Sequence, residues 1–187
     1  MFEILFHRRE DKMKPFTICF TGISGSGKTT LGAALLKELD TEKRKVQMID
    51  GDVFREQIGN IFGYTKEERY KNNQVVRVLA DYLNCNDVSV ILTLVAPYEE
   101  MRKKMREILG DAYIEVYVKC SLEECERRDV KGYYKKAKEG KMKHLNGSDD
   151  IYEIPKKSEI VINTEQESIA EGVNKIKRYL LEHGYGI

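Results

Sequence analysis

One stretch of this chain leaves little freedom in what it can fold into. Gly22-Ile23-Ser24-Gly25-Ser26-Gly27-Lys28-Thr29 fits the pattern G-x-x-x-x-G-K-[S/T] at every fixed position. Its flanks agree with it. Phe16-Thr17-Ile18-Cys19-Phe20 is apolar, aromatic and β-branched, which predicts a buried strand, while Leu31, Leu35 and Leu39 recur at helical spacing after Thr30. Strand, glycine loop and helix in that order form a phosphate loop. Its glycines let the backbone curl until successive N–H groups face one anion, and the positive end of the helix dipole adds to them. Gly22, Ser24, Gly25, Ser26, Gly27 and Thr30 are therefore candidates for holding a nucleoside triphosphate. Lys28 would reach the outer phosphates and the Thr29 hydroxyl would hold Mg²⁺.

The remainder repeats the same alternation. Val46-Gln47-Met48-Ile49-Asp50 predicts a second strand, ending in Asp50-Gly51-Asp52 at the sheet edge where open α/β folds bind ligands. A short helix is expected over Phe54 to Asn60, and Thr65-Lys66-Glu67-Glu68 reads as a capping box opening a longer one. In that helix Val75, Val76, Leu79, Tyr82 and Leu83 share a face assigned to the core, with Arg69, Asn72 and Asn73 opposite. Val88 to Val95 is near-continuously apolar, as expected of a strand buried on both sides of a parallel sheet. A helix through Ile108, a strand from Tyr113 to Val118, a capping box at Ser121 to Glu124 and a strand at Glu159 to Ile162 follow. Thr164 to Glu167 is expected to cap a last amphipathic helix closed by Gly184. The expectation is an α/β three-layer sandwich, a five-stranded parallel sheet with helices on both faces and right-handed crossovers.

At 187 residues, with no Pro, Gly or Ser-rich linker, the chain reads as one domain over residues 15–187 after a tail of residues 1–14. A formal net charge of +1 supplies no field favouring nucleic acid or an anionic membrane. No apolar run approaches a membrane span, and a cytoplasmic protein is expected. Cys19, Cys85, Cys120 and Cys125 form no C-x-x-C pair, and Cys19 and Cys120 are assigned as packed thiols. Residues 127–155 lack an apolar period and carry six lysines between Lys131 and Lys143. A long basic segment beside a nucleotide site fits a closing lid, since phosphoryl transfer needs water excluded and charge neutralised. Arg127, Arg128 and Lys131 at its entrance are expected to touch ATP.

Within phosphate-loop proteins the chain points to a small-acceptor kinase. A guanine-reading N-K-x-D is absent after the fifth strand, where Asn163-Thr164 stands, and the most apolar strand ends in no acidic residue. Asp50 and Asp52 are the acids left to order Mg²⁺ or take a proton from an acceptor hydroxyl. Asp52 is the leading candidate for both; its alternative reading is a helix N-cap.

Gly22 to Thr30, Asp50-Gly51-Asp52 with Arg55, Glu68-Arg69 with Asn72, Ala96-Pro97-Tyr98, Arg128 to Ala137, and Asp149-Asp150 with Tyr152-Glu153 together resemble adenylylsulfate kinases. The resemblance implies Mg²⁺-dependent transfer of the ATP γ-phosphoryl to the 3′-hydroxyl of adenosine 5′-phosphosulfate, and a homodimer. It implies Asp52, Lys28 and Lys131 as catalytic groups, with Arg128, Asn163 and Thr164 on the ATP side. Arg55, Arg69 and Asn72 would hold the phosphosulfate, Tyr64 would stack on the base, and Ala96, Pro97 and Leu145 would complete the acceptor site. Three departures stand out. Leu145 replaces the phenylalanine of the family's lid motif, Gln74 and Val75 replace two arginines, and Ala96 replaces a serine. They leave open a kinase of another nucleotide hydroxyl, such as that of cytidine diphosphoramidate, and a non-catalytic nucleotide-binding module. The alanine removes a phosphoserine route and leaves direct in-line transfer.

Overall fold

The computed structural model describes residues 13–41 and 43–186, so most of the expected N-terminal tail lies outside the described residues. Five strands, β1 (Thr17–Thr21), β2 (Lys45–Asp50), β3 (Val88–Thr93), β4 (Tyr113–Lys119) and β5 (Ile160–Asn163), form one parallel sheet in the order β2-β3-β1-β4-β5. β1 is central and buried along its whole length, which explains its lack of an alternating pattern.

Successive side chains of β1 point to opposite faces, and each face meets its own helices. On one side Ile18 and Phe20 pack with Leu31, Leu35 and Leu39 of α1 (Lys28–Leu39) and with Val173, Ile176 and Leu180 of a C-terminal helix (Ile169–Glu182). On the other, Cys19, Val90 and Leu92 meet Val76 and Ala80 of the long helix α3 (Lys66–Cys85) and Met105 and Leu109 of α4 (Glu99–Leu109). Burying one such large apolar side chain contributes roughly 1.5–3 kcal/mol. Between β4 and β5 the chain forms α5 (Leu122–Arg128) and α6 (Tyr133–Lys138), then a loop that returns along residues 150–155. A third small cluster, Ile23, Cys120, Cys125, Tyr134 and Leu145, seats this excursion on the phosphate loop. The C-terminal helix, α7, completes the fold, and among the described residues no helix is long and apolar enough to cross a membrane.

Several expectations change. The core face of α3 is narrower than the apolar spacing predicts: Val76 and Ala80 are buried, but Val75, Leu79 and Tyr82 are exposed by 38%, 40% and 67%. Arg69, Asn72 and Asn73, assigned to the free side, are buried instead, because that side closes a cavity. α2 spans Gly51–Gln57, starting earlier than Phe54, and its N-cap is Asp50 rather than Asp52. α7 is capped by Ser168 with Glu171 in a full box, so Thr164 to Glu167 does not cap it. Ser121 does cap α5, but Glu124 turns to Arg127 and Arg128 and the box stays half-formed. The Thr65–Glu68 box and the buried Cys19 and Cys120 thiols are as expected.

Candidate active site

The carboxyl ends of β1, β2 and β3 open into one cavity of about 380 Å³, bordered by the phosphate loop, α2, the start of α3 and the excursion after β4. Gly27 stands at φ 103 as the N-cap of α1, a left-handed conformation that lets the chain turn from loop to helix. Lys28 is 91% buried, and its ammonium donates to the Gly22 and Ile23 carbonyls at 2.9 and 2.8 Å. Burial, helped by the Lys131 charge, pulls its pKa down to about 8. Ser24, Gly25, Thr29 and Thr30 line the cavity with it. Gly22 and Ser26 do not: they form the inside of the loop, where Ser26 Oγ is buried without a partner among the described residues.

Asp50 and Asp52 take different partners. Asp50 pairs in register with Thr93 on β3, and its Oδ2 accepts from both Thr29 Oγ1 and Thr93 Oγ1 at 2.7 Å. Its Oδ1 accepts from the Asp52 and Val53 amides at 3.0 and 3.3 Å. Burial works to raise its pKa, but these four bonds outweigh it and hold Asp50 below the usual carboxylate range. The acid hydrogen-bonded to the Thr29 hydroxyl is thus Asp50; Thr29 and Asp52, the pair expected from the sequence to hold a metal, line the same cavity without a hydrogen bond between them. Asp52 instead faces the cavity and forms an ion pair with Lys131 from the far wall. Burial lowers the Lys131 pKa, and the bond and charge of Asp52 raise it by more, so its ammonium stays above its usual value.

The opposite wall is built from two buried arginines and an aromatic ring. Arg55 donates to the Phe62 and Gly63 carbonyls at 2.8 and 2.9 Å, and Arg69 donates to Tyr64 O and His144 O at 2.9 and 2.7 Å. Both guanidiniums lie near the Tyr64 ring, 4.9 and 5.2 Å from its centroid. Each fork retains N–H groups without a hydrogen bond among the described residues, and all three side chains line the cavity. Asn72 Oδ1 and Asn146 Oδ1 are buried in the same walls with no partner among the described residues. Ala96 and Pro97 supply the floor, and Leu145, 5% exposed, lines it while packing into the third cluster.

The residues expected on the ATP side fall in different places. Arg128 lines the cavity and donates to Gly25 O at 3.4 Å and Thr164 O at 2.9 Å. Thr164 and Asn163 are outside the cavity lining; Thr164 Oγ1 donates to Ser26 O at 2.9 Å and supports the loop from behind. Arg127 also stays outside, paired with Glu124 on the surface. Gln74 and Val75, which stand where the family has two arginines, do not line this cavity; Gln74 lines a separate one beside α4.

The adenylylsulphate kinase family model matches residues 14–163, from just before β1 to the end of β5. The chain is 39% identical over 169 residues to the adenylyl-sulfate kinase of Picosynechococcus sp., covering 90% of this chain and 95% of that one. It is 40% identical over 173 residues to the Staphylococcus epidermidis enzyme of the same name, covering 92% and 87%. This chain belongs to the adenylylsulphate kinase family. Among solved adenylylsulphate kinases, the Mycobacterium tuberculosis APS kinase CysC in complex with AMPPNP and APS superposes with a TM-score of 0.85 at 30% identity, covering 91% of this chain and 99% of that one.

Sequence reasoning did not single out Thr93 and Asn146, which line the cavity, or Tyr134, which supports the phosphate loop. Thr93 was readable as a hydroxyl ending an apolar strand at the ligand edge. Tyr134 reaches from α6 to donate to the Ser24 carbonyl at 2.8 Å, tying the excursion to the phosphate loop. Asn146 carried no signal beyond its place in the lid segment.

Proposed function

We propose that this protein transfers the γ-phosphoryl group of ATP to the 3′-hydroxyl of adenosine 5′-phosphosulfate, giving 3′-phosphoadenosine 5′-phosphosulfate. The observation that carries the reading is the meeting of Asp52 and Lys131 between a phosphate loop and a wall of two buried arginines and a tyrosine. ATP phosphates lie on the loop amides and Lys28, where burial strengthens each charge interaction. The acceptor's phosphosulfate takes the remaining donors of Arg55 and Arg69, whose planar forks suit tetrahedral anions. Its base lies against Tyr64, and the unpartnered Asn72 and Asn146 carbonyl oxygens suit N–H donors of the acceptor.

In this arrangement Asp52 accepts the hydroxyl proton and aims the oxygen in line with the γ-phosphorus, while Lys131 neutralises charge on the group in flight. Residues 127–155 close over both substrates as a lid, with Tyr134 and Arg128 as its links to the loop. A hydroxyl and an ionised carboxylate are hard oxygen donors that fit Mg²⁺. Thr29 and Asp50 would hold it, with Asp52 facing the acceptor. When bound, the ion would offset the negative charge of the ATP phosphates. Ala96 offers no hydroxyl for a phosphoenzyme, which supports direct transfer.

The second reading, a kinase of another nucleotide hydroxyl, is favoured by Leu145 alone, since Gln74 and Val75 lie off the cavity. A coupled ADP-release assay over a panel of nucleotide acceptors tests both. Adenosine 5′-phosphosulfate is expected to stimulate ADP release most; no stimulation by it overturns the primary reading.

A homodimer is supported by Val75, Val78, Leu79 and Tyr82, which form an exposed apolar stripe at helical spacing on α3. Sedimentation is expected to show a dimer that Leu79→Glu converts to monomer. The reaction consumes ATP, so the cytoplasm is its expected compartment.

A further inference from the structure

Arg102 is 3% exposed on α4 and lines no part of the active-site cavity, yet its guanidinium joins two of that cavity's supports. One terminal nitrogen donates to Ala96 O and the other to Glu153 O, each at 2.8 Å. Its Nε lies 3.6 Å from Glu115 Oε2, and this buried carboxylate also accepts from Ser158 Oγ at 2.8 Å and Tyr113 OH at 3.3 Å. The cation is therefore held on all sides.

The two carbonyls belong to different segments. Ala96 is in the loop that follows β3, and Glu153 is in the return from the lid to β5. Ala96 has φ 41, a left-handed backbone that a residue with a Cβ keeps only when its surroundings impose it. Further bonds hold the same two segments together. Thr21 Oγ1 donates to Val95 O at 2.6 Å and is hydrogen-bonded to Tyr152 OH at 2.9 Å, and Glu153 N donates to Pro97 O at 2.8 Å. The strained residue is also the one whose neighbour, Pro97, forms the cavity floor beside Asp52 and Arg69.

We propose that Arg102 is a positioning residue for the acceptor. It touches neither substrate; it imposes the left-handed conformation on Ala96 and so sets the Ala96–Pro97 floor against Asp52, Arg55 and Arg69. The phosphate loop has further supports of its own, Thr164, Tyr134 and Arg128, none of which shares a hydrogen bond with Arg102. The inference rests on the proposed reading of the cavity as an ATP and acceptor site.

Arg102→Lys is the direct test, because one ammonium cannot serve both carbonyls in the planes the guanidinium reaches. With adenosine 5′-phosphosulfate as acceptor, its KM is expected to rise about tenfold or more, with the KM for ATP within about twofold of wild type. In an Ala96→Gly background the same lysine substitution should raise the acceptor KM only about threefold or less, since glycine adopts the left-handed conformation without a Cβ clash. Tyr152→Phe, which removes only the hydroxyl brace to Thr21, is expected to give a smaller rise of the same selectivity and guards against a misfolded Arg102 variant. Wild-type KM values for both substrates in these variants, with melting temperature alone reduced, would overturn the proposal. So would equal losses with and without Ala96→Gly. Wild-type enzyme lacking turnover dependent on adenosine 5′-phosphosulfate would instead overturn the functional reading on which it rests.

Discussion

ATP binding to the free enzyme should take up a proton at mildly alkaline pH, and Lys28 is the group that takes it. In the structure its ammonium is buried, bonded to two carbonyls of its own loop, and near the Lys131 charge, with a pKa of about 8. A triphosphate placed on the loop favours the charged form and raises that pKa. The sign follows from linkage: between the free and bound pKa values the complex holds more protons than its components, so binding weakens as pH rises through that window. With a free pKa of about 8, roughly 0.75 of a proton is taken up at pH 8.5 and roughly 0.1 at pH 7. Above the free pKa, ATP affinity should fall about tenfold per pH unit. Isothermal titration with MgATP in two buffers of different ionisation enthalpy gives the uptake directly as the slope. Lys28→Met should bring it to zero. Buffer-independent heats at pH 8.5, or an unchanged slope in Lys28→Met, would show that Lys28 is not the group that takes up the proton.

Other substitutions separate the roles around the cavity. Asp52→Asn should lower kcat by roughly 10²–10⁴-fold with a modest change in the KM for ATP, as measured by steady-state kinetics; near-normal turnover would remove Asp52 from proton transfer. Asp50→Ala deletes the α2 N-cap, costing about 1 kcal/mol by chemical denaturation, and should raise the Mg²⁺ concentration for half-maximal rate. Because the folded Asp50 pKa is lowered, its contribution to stability is complete above the ordinary carboxylate range and fades as pH falls through the folded value; Asp50→Ala should lack that acid-side slope. Tyr64→Leu should raise the acceptor KM about tenfold, with the KM for ATP unchanged in the same assay.

The phosphate loop and its two flanking elements were legible because three signals coincide there: motif, buried strand and helical spacing. The different partners of Asp50 and Asp52 were not. They depend on β2 lying beside β3, which puts Asp50 in register with Thr93 and turns it toward Thr29, and strand order leaves no mark in a single sequence. The α3 face failed for a different reason. Apolar spacing identifies a stripe that avoids water without saying what covers it, and here the sheet takes Val76 and Ala80 while the more apolar stripe stays outside. Burial of Arg69, Asn72 and Asn73 runs against residue-type preference because a substrate cavity needs polar groups in its wall. At the C-terminal helix two S/T-x-x-E patterns compete. Glu167 of the first accepts from Asn163 N at 2.7 Å and pairs with Lys175, so Ser168 and Glu171 form the cap.

The most direct test of the central claim is phosphorus NMR of the products formed from ATP and adenosine 5′-phosphosulfate. One new phosphomonoester signal is expected, coupled to the ribose 3′ proton and growing in step with ADP. ADP released to inorganic phosphate, or an acceptor recovered unphosphorylated, would contradict it.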